Sequence, residues 1–358
     1  MGKKIYIIMI LPLSVLLNFV FSRNTSFVEK YYSNGINKPT RQLLSLVTGI
    51  FSFSLGEILV YFFVILILLM IGKLFYSSIK DIKNSIECLK DFLVNMLCIV
   101  SIIYFLFLFL WGFNYDRTTF GETASLKVRP SSVDELYELC HSLIIDTNDL
   151  REKVYENEAG VMEFQEGYKG IFQQAPLAYE NLSKEYPTLS GKYGKPKNVL
   201  LSEKMCYTGI TGVYFPFTGE ANVNVATTDF MLPATVIHEM AHQRGIARED
   251  EANFVAYLAC TSHPDDRFKY SGSLLALINS MNALRNADYE KYKELRLGYS
   301  EGVLRDLQYL SEFWQQYEGK TEEVFTKVND SYLKSNRQEA GVKSYGNMVD
   351  LLLALKRK

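Results

Sequence analysis

The chain has 358 residues, 48% of them hydrophobic and 14% aromatic, with a formal net charge of −2. That composition excludes a disordered chain, and 22 Gly and 9 Pro without a period exclude collagen-like and low-complexity classes. Five scattered cysteines with no CxxC pair exclude a disulfide scaffold. The charge is divided, however. Residues 1–113 carry 10 Lys+Arg against 5 Asp+Glu, and the remaining 245 residues carry 28 against 35. Two different solvents are implied.

The first third reads as bilayer-spanning. Ile5 to Ser22 is an uncharged apolar run of 18 residues bounded by Lys3, Lys4 and Arg23. A second run centres on Ile58 to Gly72 and reaches Leu55 and Tyr76 when Glu57 and Lys73 snorkel to the headgroups. The third, Phe92 to Tyr115, is 24 residues long. A crossing helix needs about 20 apolar residues, so spans are expected at about 5–22, 55–76 and 92–113. Trp111, Phe113 and Tyr115 are expected to form an interfacial aromatic belt at the end of the third. The first run ends in Phe-Val-Phe-Ser-Arg without a small-x-small cleavage site, which favours an uncleaved anchor. Gln42 to Gly56, rich in Ser, Thr and Gly, is expected at the interface or as an extension of the second helix.

Orientation follows from the basic residues beside the spans. With the N-terminus inside, Lys3, Lys4, Lys73, Lys80, Lys83 and Lys90 lie on the cytoplasmic side, against Arg23, Lys30, Lys38 and Arg41 outside. Three crossings then place residues 116–358 outside the cytoplasm, in a multi-pass protein of the cell membrane. Cys140, Cys206 and Cys260 are an odd number there, so at least one stays unpaired.

Residues 116–358 read as one domain, mainly α with a short β segment. Ser132 with Glu135 three residues on forms a capping box, and Leu136, Cys140, Leu143 and Ile144 follow at helical spacing. His141 on that helix has no acidic or histidine partner at i±4 and reads as structural. Asn198 to Ser202 is a strand candidate. Gly212-Val-Tyr-Phe215 and Ala221-Asn-Val-Asn-Val225 flank a Pro/Gly turn, and the alternation in the second run predicts a half-exposed hairpin.

The chemistry sits at His238-Glu239-Met240-Ala241-His242. Pro233 suits a helix first turn and Gly245 its end. On that helix, histidines at i and i+4 share a face and can bind one metal ion, and Glu239 beside them can reach a water on it. A metzincin would place a third His at position 248, but Arg248 stands there, and guanidinium cannot ligate. A second helix follows with Glu249 and Asn253 at i, i+4 and Ala252 and Ala256 on the same face. In a tight hairpin Glu249 falls near His242 as third ligand, and Asn253 falls near His238 to orient its imidazole. Glu251, roughly 200° around the helix from Glu249, is the runner-up. His263 reads as a helix-terminal histidine. Tyr345 and Tyr332 are conceivable oxyanion donors.

His238-Glu-Met-Ala-His242 followed by Glu249-Asp-Glu-Ala-Asn253 resembles the gluzincin class of metallopeptidases. The Glu-x-Glu-Ala-Asn form is similar to that of metallopeptidases that process phage-type repressors, and to Glu-x-x-Ala-Asp in membrane-embedded ones. The string Gly212-Val-Tyr-Phe-Pro-Phe-Thr-Gly-Glu-Ala-Asn222, with the three spans, resembles a bacterial membrane family catalogued as a domain of unknown function. The gap of six residues between His242 and the acidic helix departs from most gluzincins. The resemblance implies three transmembrane helices followed by a zincin-like α+β domain that hydrolyses peptide bonds. His238, His242 and Glu249 would hold Zn²⁺, with Glu239 as the catalytic base. Asn222 and Asn224 are expected on a strand that pairs with an extended peptide or protein substrate. The alternative is a non-catalytic zinc-binding membrane sensor or scaffold. The lipid bilayer is the other expected partner, and the acidic domain without a basic stripe excludes nucleic acid.

Overall fold

The computed structural model describes residues 2–80 and 82–358; side chains at 82–84, and so that of Lys83, lie outside the description. Among the described residues, three helices are long and apolar enough to cross a membrane: Lys3–Phe21, interrupted by a turn at Met9, Leu55–Lys80 and Ser85–Leu110. The first lies within two residues of expectation. The second runs four residues further, and the third ends three residues earlier.

That early end matters. Trp111, Phe113 and Tyr115 are buried, so they do not form the expected aromatic belt in the headgroup layer. The chain between the first two spans folds over them. Its π-helical stretch Val28–Asn37 packs Val28 and Tyr32 against Leu108 and Phe113. A helix end leaves carbonyls without partners, and here side chains supply them. Tyr32 Oη donates to Phe109 O at 2.9 Å and Asn37 Nδ2 to Leu110 O at 2.7 Å.

Gln42 to Gly56 does not lengthen the second span. It falls mostly in a separate helix, α1 (Lys38–Thr48), and the turn after it. Arg41, Ser45 and Thr48 of α1 are buried against the larger domain, so packing crosses the expected boundary at 115/116. The domain is mainly helical. α2 (Val133–Arg151), α3 (Gly167–Leu182), α4 (Leu232–Gln243), α5 (Glu249–Thr261) and α6 (Asp266–Ala287) share one apolar core. α7 (Glu301–Gln315), α8 (Lys320–Ser335) and α9 (Met348–Lys356) complete it. Ser132 and Glu135 form both bonds of the capping box at the start of α2. His141 is exposed, its ring parallel to Tyr137 at 6.5 Å. Cys140, Cys206 and Cys260 are buried free thiols.

The sheet has three strands in the order β1–β3–β2. β1 (Lys197–Asn198) is parallel to β3 (Glu220–Val223), and β2 (Gly212–Phe215) is antiparallel to it. β1 covers only the start of the strand expected at 198–202. β3 is central and wholly buried, where alternation had suggested one exposed face. α1 and the second span cover it. At its first residue, the Glu220 carboxylate accepts the N–H groups of Leu55 (3.2 Å) and Gly56 (2.7 Å), capping the second span where its dipole is positive. Lys197 pairs with Glu220 and donates to Thr48 O and Phe53 O at 2.7 and 2.9 Å. Both charges are buried and their hydrogen-bonding capacity is largely used.

Lys197→Met leaves the Glu220 carboxylate buried without its cation, and is expected to destabilise the protein by about 3–5 kcal/mol. Lys197→Met combined with Glu220→Gln should be milder. The check is the thermal unfolding midpoint of the single and double variants in detergent micelles; a double variant worse than the single would refute it.

Candidate metal centre

α4 begins with Pro233 in its first turn and ends at Gln243. Gly245 follows with φ +84, a left-handed conformation that ends a helix readily only for glycine. A Cβ there would also strike the Arg41 guanidinium from α1. This turn sends α5 back along α4. Ala252, Ala256 and Ala259 are fully buried, and their small side chains let the helices approach.

The hairpin brings His238, His242 and Glu249 together. The two Nε2 atoms are 3.0 Å apart, and Glu249 Oε2 lies 3.1 Å from one and 3.4 Å from the other. Donor atoms around a tetrahedral ion bound at ~2.0–2.1 Å sit roughly 3.3–3.4 Å apart, so the spacing fits a single metal ion.

Hydrogen bonds decide which nitrogens face that point. Asn253 Nδ2 donates to Tyr345 O at 3.0 Å, which turns its Oδ1 toward His238 Nδ1 at 2.8 Å. An amide oxygen only accepts, so His238 carries its proton on Nδ1. His242 Nδ1 likewise donates to Ile246 O at 2.6 Å. Both Nε2 lone pairs therefore converge on the carboxylate. Lone pairs and an anion this close repel unless a cation lies between them, either a proton or a metal ion. Electrostatics agree. Burial pushes Glu249 upward, but the imidazoles facing it outweigh burial and hold it far below the usual carboxylate range. Burial lowers His242, yet the Glu249 charge prevails and lifts it to about 9.

Glu239 is buried beside this cluster. Burial raises its pKa, and the neighbouring His238 and His242 imidazoles partly offset the rise. Its Oε2 has no partner among the described residues. Gly212 makes room for it, since a Cβ there would strike the Glu239 carboxylate. All four residues line a cavity of about 630 Å³.

Asn253 stands against His238, as the spacing suggested. Glu251 faces away: its carboxylate accepts the Phe120 N–H at 2.7 Å, and burial pushes it up to about 7. Tyr345 and Tyr332 both line the cavity. The Tyr345 ring stacks on His238 at 6.2 Å, while Tyr332 Oη lies 3.1 Å from Tyr115 Oη. His263 is apart, its Nδ1 accepting the Asp265 N–H and its Nε2 donating to Gln174 O.

One expectation is overturned. Asn222 and Asn224 do not border the cavity, because Asn222 lies on the central strand and Asn224 directly follows it, both buried. Asn224 Nδ2 donates to Ile210 O and its Oδ1 accepts the Ala226 N–H, a structural role. The strand beside the cavity is β2, at the sheet edge.

Sequence reasoning missed three contributors. Trp111 stands edge-on to His242, ring centres 5.7 Å apart. Gln338 Oε1 accepts the Glu249 N–H at 3.2 Å. Gly212 opens β2 against the Glu239 carboxylate, and a glycine opening a strand signals such close approach.

Comparison with known proteins places the whole chain. It belongs to the family described as protein of unknown function DUF3810, matched over residues 32–353. No curated protein and no solved structure matches it. The family match thus includes two of the three spans, every cluster residue, and, from Tyr32 on, the segment that folds over the third span.

The geometry predicts the ranking of a divalent-cation titration. Glu249→Gln should abolish tight binding and Asn253→Ala weaken it by roughly 10–100-fold. Glu251→Gln should stay near the wild-type value. Loss of binding in Glu251→Gln with retention in Glu249→Gln would reverse the assignment.

Proposed function

We propose that this protein is a membrane-anchored, zinc-dependent peptidase of the gluzincin type. The observation that carries this reading is the convergence of two Nε2 lone pairs and one carboxylate, with a buried, half-unpartnered Glu239 beside them in a cavity. Two imidazoles and a carboxylate are a donor set that suits zinc and leaves a fourth position open. Bound there, the ion would polarise a carbonyl and lower the pKa of a water.

The residues of the chain supply the rest. Glu239 takes a proton from a water held in the cavity and passes it to the amine that leaves. Its raised pKa brings it closer to the range in which one carboxyl can both accept and return a proton. Asn253 and Ile246 O hold the imidazoles in one tautomer. Tyr345 packs on His238, and its backbone O accepts from the Asn253 amide that orients that ring. The helix hairpin with an edge strand beside it supports a zincin-like reading of the domain. The acidic balance of residues 114–358 fits a polypeptide substrate better than a nucleic acid.

Glu239→Gln should retain one zinc per chain and lose roughly 10²–10⁴-fold in hydrolysis. The assay uses the full chain in lipid vesicles with a quenched fluorogenic peptide library, beside metal analysis of the same sample. Full activity in Glu239→Gln would sink the mechanism. Zinc bound by a wild-type protein inert on the library would favour the scaffold alternative.

We also place the domain outside the cytoplasm, on the basic residues flanking the spans. A topology reporter after Lys358 should be active only outside, and one inserted between Lys80 and Lys90 only inside. The opposite pair reverses the orientation.

A further inference from the structure

α8 has three sides, and on one of them Val324 and Val328 stand exposed. Thr326 and Asn329 line the cavity, and Leu333 is buried. Lys320, Glu323 and Lys327 are exposed on another side, where Asp330 accepts the Val342 N–H at 3.1 Å and pairs with Lys334. Between these lies a stripe of Val324, Val328 and Tyr332, four residues apart and so nearly in line along the helix. Val324 is 56% exposed and Val328 59%. Apolar side chains this open, lined up on one flank, need a partner of their own.

The place of α8 says what that partner is. Tyr332 sets its ring edge-on to Phe107, which lies inside the third span, three residues before its end by sequence. Its hydroxyl meets Tyr115. Just past the helix, Arg337 pairs with Asp116 and lies 3.5 Å from the carbonyl of Asn18 in the first span. The C-terminal end of α8 is therefore pinned where two spans leave the hydrocarbon. From Tyr332 the stripe runs back two turns, about 12 Å, through Val328 to Val324. It begins on Phe107, half-buried near the end of the third span, beside Leu106 and Phe109, which are exposed on that span.

We infer that α8 lies on the bilayer, with Val324 and Val328 inserted among the acyl chains of the leaflet on the domain's side. Amphipathic helices settle this way about 5–10 Å into the boundary, with charged residues along the wet side. The occupant of the stripe is lipid, because the stripe is continuous with a spanning helix that lipid already surrounds. The same helix walls the cavity. One surface of the candidate metal centre is thus supported by the membrane, whatever reaction the centre performs.

The test uses the full chain in vesicles of phosphatidylcholine, part of it brominated on the acyl chain near the headgroup. Val328→Trp and Val324→Trp report the stripe, Lys327→Trp reports the charged side, and wild type supplies the signal of Trp111 and Trp314. The added emission of Val328→Trp should be quenched several-fold more by the brominated lipid than that of Lys327→Trp. Acrylamide in the water should give the reverse order. Equal quenching of the two positions by brominated lipid overturns the inference. So does a Val328→Trp shielded from both quenchers, which would mean a protein partner or a second copy on the stripe. Should Val328→Trp fail to fold, Val324→Trp makes the same comparison. None of these readouts depends on metal or hydrolysis, so the inference and the peptidase reading fail separately.

Discussion

Two protonated Nδ1 atoms set the character of this molecule's candidate site. Each imidazole of His238 and His242 gives its Nδ1 proton to a fixed acceptor, so each must present its Nε2 lone pair to the other and to Glu249. The acceptors come from one feature, the turn at Gly245. Ile246 O lies just beyond it, and Asn253 lies on the returning helix. A looser turn would free the rings to rotate and to exchange tautomers. The buried guanidinium of Arg41 stands behind Gly245, which closes the space a longer or wider turn would need.

Arg41 also shows how the membrane part enters the domain. It belongs to α1, in the segment between two spans, and α1 also supplies Ser45, whose hydroxyl accepts from Gln243 Nε2 at 2.9 Å. Glu220 of the central strand caps the second span, and Tyr32 and Asn37 complete the end of the third. Such bonds satisfy helix termini that would otherwise be unpaired at the edge of the hydrocarbon, where an unmade hydrogen bond is costly. The spans are therefore built into the domain and do more than tether it.

What the sequence disclosed was local. Three apolar runs, the capping box at Ser132 and Glu135, and the i, i+4 pair His238 and His242 depend on residues within one or two turns of each other. The side of α5 that faces α4 was readable because Glu249, Ala252, Asn253 and Ala256 share it, small residues beside polar ones. What stayed hidden was long-range. Alternation in residues 221–225 suggested a half-exposed strand, and β3 is central because a short β1 and the chain from the membrane part cover it. The aromatic residues after the third span matched a lipid-interface composition, yet the same composition suits a buried junction. Only the distant partners Tyr32 and Tyr214 distinguish the two cases.

Chain connectivity fixes one further relation. The third span ends at Leu110, and the next residue, Trp111, already stands against His242. The imidazole and the end of the span are thus separated by a single side chain. Trp111 also packs on Tyr214 of β2, the strand whose Gly212 makes room for Glu239, so one indole touches both the ligand side and the acid–base side of the cluster. Any tilt of the third span relative to the domain would move that indole first. The group nearest the membrane in this site is therefore also the one that touches both halves of it, which is a physical reason for the spans and the domain to share one fold.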